Sequence, residues 1–133
     1  ADRVTKENLD EAAAFAKAFA GKMNAVVAIT GAIDIVADAE KAYCIYNGRP
    51  EMSSITGTGC QLSALTAAFV TANQEQPLEA AAAAVCAMGL SGETAYARLG
   101  ELDGNATYRN YIIDAIYRMN GEALEAGAKF EVR

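Results

Sequence analysis

The chain has 133 residues, 53% apolar and 21% charged, with 11 Lys and Arg against 17 Asp and Glu for a net charge of -6. Only 2 Pro and 3 Cys accompany that apolar content, which excludes a disordered, collagen-like or disulfide-stapled chain, while the negative balance repels nucleic acid and anionic lipid. The absence of His excludes His-based acid–base catalysis, Ser-His-Asp triads and His metal ligation within the chain.

A chain of this length buries about two thirds of its unfolded surface, enough for one helix-rich domain over residues 1–133. It opens at Ala1 without Met, as a piece of something longer would. Thr5 and Asn8 are N-cap candidates, and Leu9, Ala13, Ala16 and Ala20 repeat at helical spacing, so a helix is expected from residue 6 to Ala20, stopped by Gly21. Ala25 to Thr30 is a short apolar run ending before Gly31, which suits a strand covered on both faces in a parallel sheet. Ile33–Ala37 and Ala42–Tyr46, separated by Asp38-Ala39-Glu40-Lys41 and closed by Asn47-Gly48, read as a β-hairpin that Pro50 ends.

Thr56-Gly57-Thr58-Gly59-Cys60 then leads into a helical pattern in which Leu62, Leu65 and Phe69 share a face. A further helix starts at Pro77, with Leu78, Val85, Met88, Ala95 and Leu99 on one side and Gly89 and Gly92 permitting close contact. Its most apolar window, Ala80 to Leu90, is far shorter than the roughly 20 residues of a membrane span. Asp103-Gly104-Asn105 breaks the chain before the stripe Tyr108, Tyr111, Ile112, Ala115, Ile116 and Met119, and a last short helix is expected over Glu122–Ala126. The charged amino end is not a signal peptide. Cys44, Cys60 and Cys86 are an odd number at wide spacing, which fits neither a disulfide framework nor a zinc site and suits a reducing cytoplasm.

The glycine turn is the constellation with chemical content. Glycines let backbone amides approach a ligand, and the following helix aims its positive dipole end at them, making an anion site. Spacing alone fits an ordinary loop before a helix equally well. Cys60 stands at the helix start, where the dipole favours thiolate, so it is a candidate proton acceptor; for Cys44 and Cys86, with apolar neighbours, burial is the better reading. Thr30, at the end of a strand, sits where ligands collect in open α/β sheets, and simple strand termination accounts for it as well.

Gly31-Ala32-Ile33-Asp34-Ile35-Val36-Ala37-Asp38, then Tyr46-Asn47-Gly48, then Ile55-Thr56-Gly57-Thr58-Gly59-Cys60-Gln61-Leu62-Ser63-Ala64 strongly resemble hydroxyethylthiazole kinases. The similarity continues through Pro77-Leu78-Glu79-Ala80, Gly89-Leu90-Ser91-Gly92-Glu93, Tyr108-Arg109 and Ile113-Asp114-Ala115-Ile116. The resemblance implies an α/β fold: the carboxyl-terminal part of a ribokinase-like domain, helices packed on a truncated sheet with a β-hairpin. It also implies phosphorylation of the hydroxyl of 4-methyl-5-(2-hydroxyethyl)thiazole with ATP and Mg²⁺, in thiamine biosynthesis and salvage. Only the carboxyl-terminal half of the family pattern is present. The absent amino-terminal half would hold most of the parallel sheet, a substrate-capping Met, a nucleotide-binding Arg and acidic residues associated with Mg²⁺.

Carried over by position, the pattern gives Thr30 a nucleotide contact, Gly57 a substrate contact, the anion hole to Gly57, Thr58, Gly59 and Cys60, and the catalytic position to Cys60, with no metal ligand in this half. The wider superfamily usually has Asp where Cys60 stands, and Arg49 replaces a frequent His. The family is trimeric with sites between subunits, so a homo-oligomer is expected. Two other readings stand beside this one: another ribokinase-like kinase, such as one acting on hydroxymethylpyrimidine, and a non-catalytic fragment or binding module.

Overall fold

In the computed structural model, which describes residues 4–133, the elements are α1 (Leu9–Met23), β1 (Val27–Ile29), β2 (Asp34–Ala37), β3 (Ala42–Ile45), α2 (Thr58–Ala72), α3 (Pro77–Ala97), α4 (Asn105–Arg118), α5 (Gly121–Gly127) and β4 (Phe130–Val132). A short 3-10 turn over Pro50–Ser54 links β3 to α2. The hairpin forms as expected, with Asp34 opposite Ile45 and Ala37 opposite Ala42. Its turn is tied by the Asp38 carboxylate, which accepts from the amides of Glu40 at 2.8 Å and Lys41 at 2.9 Å.

Three expectations are corrected. The described sheet, in the order β1-β2-β3-β4, is antiparallel throughout rather than parallel, and β1 is half-exposed at an edge rather than covered on both faces. Residues 30–33 reverse the chain within four positions, so β1 can pair with β2 only in opposite directions. Gly21 does not stop α1, which runs on to Met23 and ends at Asn24, held at φ 48 with its amide bonded to the carbonyls of Ala20 and Gly21. A glycine inside a helix costs only about 1 kcal/mol relative to Ala, whereas a left-handed Asn ends it outright.

Alternation along β2 and β3 sorts the core into layers. Ile35, Ala37, Ala42 and Cys44 pack with Leu9, Ala13 and Ala16 of α1 on one side, and Val36 and Ile45 pack with Leu78, Ala81, Ala82, Val85 and Cys86 of α3 on the other. A third cluster joins α3 to α4 through Met88, Ala95, Tyr108 and Ile112, and the Tyr108 hydroxyl donates to the Gly92 carbonyl at 3.0 Å. The α4 stripe and the short α5 thus stand where periodicity put them. No helix among the described residues is long and apolar enough to cross a membrane.

Asn47, buried just past β3, is a junction. Its side-chain amide donates to Glu93 of α3 at 3.2 Å and to the Gly127 carbonyl at 3.0 Å, and its oxygen accepts from the Lys129 amide at 2.8 Å. Burial works against the charge on Glu93, but the Lys129 ammonium, the Gly48 amide and Asn47 outweigh it and hold the carboxyl below its ordinary range.

Helix α2 is different in kind. Its sequence is apolar, and Leu62, Leu65 and Val70 lean on the cores beside α3, yet none of its residues is buried.

Candidate functional site

The glycine turn follows from backbone requirements. Gly57 caps α2 at φ 95, in the left-handed region that favours glycine, and among the described residues no side-chain cap bonds the amides of the first turn. Gln61 donates to the Gly57 carbonyl at 3.0 Å, which leaves the amides of Thr58, Gly59 and Cys60 ahead of the first intrahelical bond. A Cβ built on Gly57 or Gly59 would meet nothing within 4 Å. The helix therefore presents open donors at its positive end with free space beside them.

Thr58 and Gly59 line a cavity of about 580 Å³ that Thr30, Gly31, Ala32 and Asp34 line as well, with Val85, Met88 and Gly89 of α3 also contributing. Thr30 is exposed directly after β1. Gly57 and Cys60 lie on the same turn but not on the cavity wall, and Cys60 is exposed. Cys44 and Cys86 are buried, and burial pushes both thiols up, that of Cys86 to about 11 with the nearby Asp34 charge adding to it. A larger groove of about 710 Å³, lined by Leu90 and Arg98 with Asp114 and Arg118 of α4, contains none of the candidate site residues Thr30, Gly57, Thr58, Gly59 and Cys60.

Among the described residues, two charged side chains line the smaller cavity, Asp34 and Arg49. Arg49 is held in place by a double hydrogen bond to Glu51 at 3.0 and 3.1 Å and by stacking 3.9 Å over the Tyr96 ring. Asp34 carried no role in the sequence reading. The available signal was an acid opening an otherwise apolar strand. Burial pushes its carboxyl up to about 6, against the pull of the Gly31 amide, which donates to Oδ1 at 2.8 Å. Its ordinary value is 3.8, so between these limits the folded state holds a proton that the unfolded chain has released, and stability falls as pH rises through that window. Asp34→Asn is therefore expected to raise the unfolding free energy by about 1–2 kcal/mol at pH 7.5 and to change nothing near pH 3, as urea titrations at the two pH values will read.

Gly89 and Gly92 are explained by packing. A Cβ on Gly89 would come within 2.7 Å of the Asn47 carbonyl carbon, and one on Gly92 would overlap the Met52 side chain.

The model of the hydroxyethylthiazole kinase family matches residues 3–122. A hydroxyethylthiazole kinase of Clostridium acetobutylicum is 55% identical over 130 residues, which are 98% of this chain and 48% of the relative. That of Zea mays is 39% identical over 89% of this chain and 41% of its own length. A solved structure of the hydroxyethylthiazole kinase protein from Pyrococcus horikoshii OT3 superimposes with a TM-score of 0.84 at 32% identity, covering 96% of this chain and 48% of that one. The chain spans about half the length of the relatives it matches, and across that span it belongs to the hydroxyethylthiazole kinase family, with the α/β architecture of its ribokinase-like fold.

Proposed function

We propose that these residues are the phosphate-handling half of a kinase that phosphorylates the hydroxyl of 4-methyl-5-(2-hydroxyethyl)thiazole in thiamine biosynthesis and salvage. The observation that carries this reading is the uncapped start of α2, whose Thr58 and Gly59 share one cavity with the Thr30 loop. ATP supplies the phosphoryl group, and the site fits an anion of that kind because free space adjoins Gly59 and open amides precede the first helical bond. The family pattern puts the acidic residues associated with Mg²⁺ in the amino-terminal half, so the metal is assigned there and to the nucleotide's own phosphates.

In this reading the amides of Thr58, Gly59 and Cys60 donate to phosphoryl oxygens, Thr30 Oγ1 donates to another phosphate oxygen, and Gly57 meets the substrate. Cys60 Sγ accepts the proton of the substrate hydroxyl. A general base contributes roughly 10²–10⁴ and each preorganised donor a comparable factor, so three fixed amides outrank one thiol. The exposure of Cys60 and its place off the cavity wall support the same order.

The other half of the relatives' length completes the domain, and a trimer with sites between subunits completes the enzyme, in a cytoplasmic setting. The apolar yet unburied α2 supports a covering partner of this sort.

The test is a chimera in which this chain replaces the matching half of the Clostridium acetobutylicum relative. It is expected to phosphorylate the thiazole alcohol, while the 133-residue chain alone gives no sustained turnover. Cys60→Ala is expected to lower kcat about 10²-fold and Cys60→Asp to stay within about tenfold of the parent, since an anionic acceptor is restored. Equal collapse in both variants means a structural thiol. Product formed only from hydroxymethylpyrimidine assigns the chain to the other kinase, and no product from either alcohol favours a non-catalytic module.

A further inference from the structure

We propose that Asp34 is a positioning residue for the nucleotide loop: by accepting the Gly31 amide it holds the Thr30–Ala32 turn against the cavity, and nucleotide affinity depends on that hydrogen bond. The inference rests on the nucleotide reading of this cavity.

Three observations converge on it. Asp34 opens β2, where the buried neighbours Ile33 and Ile35 fix the backbone on either side. Its carboxyl is the only side-chain acceptor that the described residues show for an amide of the 30–33 loop, at 2.8 Å from Gly31 N. Residues 30, 31, 32 and 34 all line the cavity that also receives Thr58 and Gly59, so the loop that Asp34 ties forms one wall of the proposed phosphate site.

The position is a costly one for a carboxylate. Asp34 shares the α3 side of β2 with Val36, and Cys86 of α3 feels its charge. Arg49 is the other charged group on the cavity, engaged by Glu51, while Ile45, opposite Asp34 on β3, and Thr30 at the end of β1 bring no charge. A hydrogen bond to an ionised acceptor is roughly twice as strong as one to a neutral group. As pH falls through about 6 the carboxyl gains a proton and the loop loses that advantage. Like-charge repulsion between Asp34 and a polyphosphate would act the other way, so the direction of the pH dependence separates tethering from repulsion.

The experiment uses the 133-residue chain and MgATP, with amide resonances of Gly31 and of Thr58–Cys60 followed by NMR between pH 5 and 8. Because the terminal phosphate of ATP titrates in the same window, the quantity to read is the ratio of affinities between the parent and Asp34→Asn, which keeps a neutral acceptor. We expect the Gly31 amide to titrate near pH 6 in the parent and not in Asp34→Asn. The parent's advantage over Asp34→Asn should shrink about threefold from pH 8 to 5, and Asp34→Ala should bind about tenfold more weakly than the parent at pH 8, with Asn restoring most of the loss.

A ratio that is flat or rises toward low pH, or an Asp34→Ala variant that binds like the parent, overturns the positioning role while leaving the nucleotide reading in place. ATP that shifts none of the Thr58–Cys60 amides at any pH, with Gly31 still titrating, overturns the nucleotide reading and this inference with it.

Discussion

Gly59→Val is expected to weaken nucleotide binding at least about 100-fold while leaving the fold as stable as before, within about 0.5 kcal/mol. The two halves of this expectation have different causes. A Cβ at position 59 meets nothing within 4 Å, so a side chain starts into open space there, and replacing glycine within a helix offsets the small penalty of a β-branched residue. In the proposed function the same free space receives a phosphate oxygen about 3 Å from the amides of Thr58, Gly59 and Cys60, and an isopropyl group beside them denies that approach. Calorimetric titration with MgATP, paired with thermal unfolding of the same sample, reads both quantities. Unchanged affinity would remove the amide cradle from the proposal, and the phosphoryl group would have to be held elsewhere.

The largest expected stability effect lies across the cavity, at Gly89. Gly89→Ala is expected to cost about 3 kcal/mol, lowering Tm by about 10 °C. The added methyl would stand 2.7 Å from both the carbonyl carbon and the Cβ of Asn47 and 2.8 Å from its oxygen. Backbone atoms cannot swing aside as a side chain does, and Asn47 is further fixed by its bonds to Glu93, Gly127 and Lys129. Gly92→Ala is the natural comparison. Its methyl meets the flexible Met52 side chain, which can move, so a loss of about 1 kcal/mol is expected. Urea unfolding of the pair checks this, and equal losses in both would mean that the approach of α3 to Asn47 has more give than its distances allow.

Much of the architecture was legible because periodicity and turn chemistry are local. Leu9, Ala13, Ala16 and Ala20 share a buried face as their spacing requires, and Asp38 with its neighbours closes the hairpin by bonds that residue types alone suggest. Strand direction is not local. Val27-Ala28-Ile29 suits a parallel or an antiparallel ladder equally, and it is the four-residue return to Asp34 that decides. Phe130-Glu131-Val132 escaped notice because three residues carry no alternation to read, and the strand exists only through its register with β3.

At the site, the turn from Gly57 to Cys60 stood out through its glycines, and the chain fold brings Thr30 to the same cavity as Thr58 and Gly59. The importance of Asp34 was invisible for a different reason. An aspartate beside apolar residues reads as an ordinary strand opening until burial and the Gly31 amide are seen together.

Asn47 gives the last residues of the chain a mechanical task. One amide group is clamped by α3, by the end of α5 and by the residue just before the final strand, and its own backbone is the surface on which Gly89 rests beside the cavity. The tail from Gly127 to Val132 thus braces that wall from the outer edge of the sheet, some eighty residues away along the chain.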